Sequence, residues 1–164
     1  MHKSGHTGGY LLVWTAISFL FLLPQGLFRV SVIGYILGIP LVMVPDEDQS
    51  FPLATHRGFS HTFWFALIFG AIFFIIGLKM SPTLAAIGAS IPPVYLFFIG
   101  FVIIITHIFL DSHTPMGVKP LAPVSEKQYS GDISSNSKLW NWLFYVIGIV
   151  GTIVAIYYYF FVGI

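Results

Sequence analysis

The sequence predicts an all-α, polytopic integral membrane bundle of about five transmembrane helices, forming one domain over residues 1–164. Three observations predict it. Only 8% of residues are charged and 57% are hydrophobic, where a soluble domain carries about a quarter charged residues. A small globule has too much surface to hide that imbalance in a core, so lipid must cover much of it. Finally, the apolar residues fall into runs close to the roughly 20 residues that a bilayer crossing needs.

Each run can be placed in order. The first spans about Gly8 to Leu23 and stops at Pro24-Gln25-Gly26. Its basic, then apolar, start is like that of a signal peptide. No small-residue cleavage site follows, however, so a retained first helix is expected. The second, about Val30 to Val44, is short, with Pro40 near its end. Gly34 and Gly38 form a small-xxx-small pair that would let it pack closely. The third begins after His61 and runs to Leu78, where Lys79 and Pro82 are expected to stop it. Residues 83–90 are too short to span and precede Pro92-Pro93, as a lead-in or a short interfacial helix would. The fourth covers about Val94 to Leu110. The fifth, Leu139 to Val162, is uncharged and long enough to cross with tilt. Between these last two lies the one long polar stretch, Asp111 to Lys138.

Five spans put the N-terminal tail, the loop 45–60 and the loop 111–138 on one side. That side then holds all six acids (Asp46, Glu47, Asp48, Asp111, Glu126, Asp132) and all six histidines (His2, His6, His56, His61, His107, His113). The other side keeps Arg29 and Lys79. Counting Lys3, Arg57, Lys119, Lys127 and Lys138 against those two, the positive-inside rule places the polar face in the cytoplasm. A net charge of +1 provides no field for nucleic acid. The absence of cysteine excludes disulfide frameworks and thiolate metal sites.

Four islands converge on that face: Gly5-His6-Thr7, Pro45-Asp46-Glu47-Asp48, Thr55 to His61, and Thr106 to Asp111. His107 and Asp111 are four apart in a helical run, share one helix face and can hold one ion together. Imidazole nitrogen with carboxylate oxygen suits zinc, or a harder ion such as manganese. A helix-terminal hydrogen bond would explain that pair equally well. Asp46 and Asp48 crowd like charges at the membrane edge, which a cation would relieve; a solvated acidic turn is the plainer reading. His56 and His61, five apart around Gly58, fit a loop followed by a first helical turn capped by Ser60.

The conjunction carries more than any one residue. These side chains exceed what one zinc needs and point to two or more ions. Metal at the site would polarise a phosphoryl or acyl oxygen and acidify a bound water. A carboxylate outside the coordination, Asp46 or Glu47, would then serve as general base. Arg57 offers a planar fork for a phosphate or oxyanion, or else pairs with the neighbouring acids. Ser60 has no base of its own to make it a nucleophile, and His2 and His113 read as solvated bystanders.

The same residues resemble a known family. His56-Arg57-Gly58-Phe59-Ser60-His61-Thr62 after Pro45-Asp46-Glu47-Asp48, and Thr106-His107-Ile108-Phe109-Leu110-Asp111 before Thr114-Pro115-Met116-Gly117-Val118, are similar to signatures of the YdjM family. Its members are described as LexA-binding, inner-membrane-associated metal-dependent hydrolases. Ser60 and Thr62 exchange the usual hydroxyl types, and Glu47 stands where an apolar residue is usual. The resemblance implies an integral-membrane hydrolase with His6, Asp48, His56, His61, His107 and Asp111 as ligands. More distantly, it implies a helical site of the zinc phospholipase C type.

The function expected is therefore metal-dependent hydrolysis of a membrane-embedded phosphoester, phospholipase C-like or phosphatase, with membrane lipid as the surrounding partner. Its rival is a non-catalytic metal-binding or interaction protein. A transporter is disfavoured because no span carries an acid or histidine near its midplane. A metalloprotease would be expected to carry H-E-x-x-H, which is absent.

Overall fold

The structure, a computed structural model, describes residues 1–50, 57–86, 88 and 90–163. Five helices dominate: α1 (Lys3–Ile17), α2 (Phe28–Leu41), α3 (Phe63–Ala86), α4 (Pro93–Asp111) and α5 (Lys138–Tyr157). Extended by the turns that continue them, all five are long and apolar enough to cross a membrane.

Helix α1 starts earlier than the apolar run, because Gly5, His6 and Thr7 are buried rather than solvated. It continues through a π-helical stretch, Ser18–Leu22, and a 3-10 turn, Leu23–Gln25, and ends at Gly26 with φ 71°, a left-handed stop that glycine adopts without strain. Helix α2 ends at Leu41, one turn short of expectation; a 3-10 segment, Val44–Ser50, then carries the acids. Helix α3 departs most from the sequence reading. It runs past Lys79 and Pro82 to Ala86, so residues 83–86 are its last turn and no separate interfacial helix. Exposed Lys79 can stretch its charged end to water, and Pro82, one turn from the end, forfeits a single helical hydrogen bond. Its N-terminus is capped by Thr62, whose Oγ1 accepts from the Phe65 N–H at 3.3 Å, and not by Ser60. Helix α5 follows Ser137, whose Oγ accepts from the Trp140 N–H, and runs into a π-helical end, Tyr158–Gly163.

Two tight pairings build the bundle. Helices α1 and α5 run side by side in the same direction: a Cβ on Gly8 would meet Phe144 backbone at 2.4 Å, and one on Gly148 would meet the Gly8 carbonyl at 2.4 Å. Helices α3 and α4 pack antiparallel, with Gly70 against Phe97 and Gly77 against Pro93. The small pair on α2 receives aromatic rings instead of backbone. Trp14 lies on Gly34 and Tyr10 on Gly38, while Tyr10 donates to the Gly34 carbonyl at 2.8 Å and Trp14 to that of Ser31 at 2.9 Å. Ile68, Ile72 and Ile75 of α3 and Ile147, Val150 and Ile153 of α5 stay exposed, the surface that hydrocarbon covers. An apolar groove between α1, α2 and α5, lined by Leu11, Phe28, Tyr35 and Ile156, carries no acid, lysine, arginine or histidine.

Candidate metal centre

Four elements deliver polar side chains to one end of the bundle. Helix α1 brings His6 in its first turn. The 3-10 segment after α2 brings Asp46 and Asp48. The 3-10 turn Phe59–His61 before α3 brings His61, and the last turns of α4 bring His107 and Asp111. His6, His61, His107 and Asp111 are at most 1% exposed; the Asp46 side chain, at 15%, is the one through which the group meets solvent.

Asp46, His61, His107 and Asp111 each present a ligand atom to the others, all within 4.8 Å. The Nε2 atoms of His61 and His107 are 3.2 Å apart. Asp46 Oδ1 lies 3.4 Å from each, and Asp111 Oδ2 lies 3.7 and 3.8 Å away. Ligands about 2.1 Å from a tetrahedral ion stand about 3.4 Å from one another, so these separations suit one small cation.

The outer nitrogens decide what the inner ones offer. His107 Nδ1 lies 2.7 Å from the Val42 carbonyl, which can only accept, so Nδ1 carries the proton and Nε2 a lone pair. Ser60 Oγ lies 2.6 Å from Asp48 Oδ2 and 2.9 Å from His61 Nδ1. The hydroxyl has one proton, and it goes to the carboxylate. His61 Nδ1–H must then donate to Ser60, again leaving a lone pair on Nε2. Burial pushes the His61 imidazole below the usual histidine value, with Asp46 opposing the shift, so the ring favours its neutral form. Two lone pairs thus face each other at 3.2 Å between two carboxylates. Acceptors buried in such an arrangement repel one another unless a cation joins them.

The sequence candidates fall into distinct places around this group. Asp46, expected as the general base, supplies a carboxylate to the convergent set. Asp48, which the resemblance made a ligand, stands one step out: its Oδ2 accepts from Ser60 Oγ and from the Arg57 backbone N–H at 3.1 Å. Arg57 takes the second of its two expected roles. One terminal nitrogen meets Asp111 Oδ2 at 3.0 Å, and the other donates to Thr114 Oγ1 at 3.0 Å and the Gly117 carbonyl at 2.9 Å. Its backbone sits at φ 60°, uncommon for a residue with a side chain. His6 Nε2 lies 3.3 Å from Asp111 Oδ1, and its ring stacks on that of His107 at 4.0 Å. His56 lies outside the described residues. Glu47, His2 and His113 are exposed; His113 Nδ1, in the turn after α4, is 2.8 Å from the Phe109 carbonyl.

Sequence reasoning passed over two contributors. Ser60 fixes the His61 tautomer, and its position beside a histidine was the available signal. Thr114, fully buried, ties Arg57 to the turn after α4. That turn belongs to a well-ordered loop: Val118 and Tyr129 exchange backbone hydrogen bonds at 2.9 and 2.8 Å, and the Gly131 N–H returns to the Thr114 carbonyl. A cavity of about 490 Å³ opens beside Arg57, bounded by Phe59, Thr62, Lys119 and Glu126.

Among the comparisons with known proteins, no curated protein and no solved structure matches the chain. The model of the YdjM inner membrane protein family matches residues 1–164, the whole chain. With that match, and with five helices long and apolar enough to span a membrane, this chain belongs to the YdjM inner membrane protein family.

Proposed function

We propose that this protein is a membrane-bound, metal-dependent hydrolase of a lipid phosphoester, phospholipase C-like or phosphatase, acting at the cytoplasmic headgroup level. The observation that carries the reading is the pair of buried Nε2 atoms of His61 and His107, 3.2 Å apart and flanked by Asp46 and Asp111. Bound zinc or manganese would supply Lewis acidity toward a phosphoryl oxygen and a water acidic enough to attack it. The chain's own residues do the rest. His61 and His107 are held in one tautomer by Ser60 and Val42, Asp111 is braced by Arg57, and Asp46 faces solvent where a substrate arrives. In this reading Asp46, expected from sequence as a base, is a ligand, and Asp48, which the resemblance implied as a ligand, is a positioning residue. The cavity between Arg57, Phe59 and Lys119 has the mixed apolar and cationic lining that a phospholipid or isoprenoid phosphate headgroup calls for. The cytoplasmic assignment rests on the excess of lysine and arginine on that face.

One observation favours a second reading. Both terminal nitrogens of Arg57 already have protein acceptors, and Asp46 sits among the ligands, which leaves no dedicated base among the described residues. A non-catalytic metal-binding or interaction protein would look the same. Metal analysis of the purified protein beside His107→Ala comes first. Stoichiometric metal lost in the variant is expected, and none in the wild type sinks the hydrolase. Turnover of a panel of phospholipids and isoprenoid phosphates then separates enzyme from binder. A reporter fused at Ile164 checks the topology and is expected on the side opposite the loop 111–138.

A further inference from the structure

Each of the two carboxylates in the cluster divides its oxygens. Asp46 turns Oδ1 to His61 and His107, 3.4 Å from each, and its Oδ2 lies 4.0 Å from His6 Nε2. Asp111 does the same: Oδ2 faces His61 and His107, and Oδ1 lies 3.3 Å from His6 Nε2. His6 is fully buried, and among the described residues neither of its ring nitrogens makes a hydrogen bond. A buried imidazole in that condition is costly, yet its Nε2 is aimed at two carboxylate oxygens. The His6 ring lies parallel to His107 within 4°, the centroids 4.0 Å apart, so both rings present Nε2 to the same two acids. That offset matches the spacing of about 3.5–4 Å between the ions of two-metal sites.

We propose that a second divalent cation binds between His6 Nε2, Asp46 Oδ2 and Asp111 Oδ1, with Asp46 and Asp111 bridging it to the ion of His61 and His107. The inference rests on the reading that those latter residues hold a metal. It assigns His6 a role that the cluster of four does not include, and makes both aspartates bridges. Asp111 Oδ1 also accepts a hydrogen bond from the Met1 nitrogen at 2.9 Å. Two divalent ions beside Arg57, against Asp46, Asp48 and Asp111, leave surplus positive charge in a buried place. An anionic phosphate ester would neutralise it, which narrows the substrate class to esters that keep a charge on phosphorus.

The test uses the full chain in detergent, stripped of metal and titrated with Mn²⁺ alone, with metal content and electron paramagnetic resonance as readouts. Two ions per chain with a spin-coupled spectrum are expected in the wild type. His6→Ala should lose one equivalent and all coupling while keeping the other ion, and His6→Gln serves as a second variant should alanine impair folding. One uncoupled ion in the wild type overturns the second site and leaves the first standing. Two ions that persist in a folded His6 variant also overturn it. No ion at all refutes the underlying metal reading instead.

Discussion

The two ends of the bundle carry their charges in opposite ways. At one end His6, His61, His107 and Asp111 are buried and come from two helices and a turn, and His61, His107 and Asp111 are each held by a neighbour. At the other, Arg29 and Lys79 are exposed, and among the described residues Arg29 donates to the Gly88 carbonyl. Charge at a membrane edge is ordinary, since lysine and arginine mark topology there. Charge withdrawn from water and arranged by other side chains is not, because each desolvated group must be compensated. The first end has the build of a candidate site, and the second that of a border.

The largest effect that can break this contrast is Asp111→Ala. It removes a bridging carboxylate and leaves the Arg57 guanidinium, 11% exposed, without its anion. A cost of about 3–5 kcal/mol is expected for an orphaned buried charge, read as a lowered melting temperature in detergent along with loss of metal. Next comes Gly38→Ala, where the new Cβ would overlap the Tyr10 ring at 1.9 Å. Overpacking should cost about 1–3 kcal/mol, with metal affinity falling only as far as the helices shift. Ser60→Ala should leave the fold intact and weaken metal binding about 10–100-fold, the usual loss when a ligand's orienting partner goes; calorimetric titration with Zn²⁺ measures it. An unchanged affinity would mean that Ser60 does not set the His61 tautomer. Smallest is Arg29→Ala, expected to leave both melting temperature and metal content where they were. A metal loss there would erase the distinction between the ends.

Much of the architecture could be read from the chain, for a physical reason. Hydrocarbon demands long apolar runs, so span number survives any detail of packing. Helix limits do not follow from hydropathy. Lys79 and Pro82 look like stops, yet the first can reach water and the second lies too near the end to break α3. Within the site, His107 and Asp111 were legible because a spacing of four is one helix face. Asp46 and Asp48 were not distinguishable. They lie two residues apart in a 3-10 turn, where successive side chains rotate by about 120°, so they face different ways, and only the phase of that turn selects the inner one. Arg57 was ambiguous for a related reason: its acceptors at Thr114 and Gly117 lie 57 and 60 residues away, beyond any local pattern.

The rings on the glycines of α2 have a mechanical consequence. Between helices in lipid, apolar burial provides no preference for one axial position over another, and a slip of one turn would displace a helix by about 5.4 Å. Trp14 on Gly34 and Tyr10 on Gly38, each also hydrogen-bonded to an α2 carbonyl, act as two teeth of a detent. They lock the height of α1 against α2, and so the height of His6, four residues before Tyr10, against Asp46, eight beyond Gly38. Side chains that share an ion tolerate only about 0.2 Å of misplacement, and here their relative height is set by aromatic rings one and two helical turns below His6.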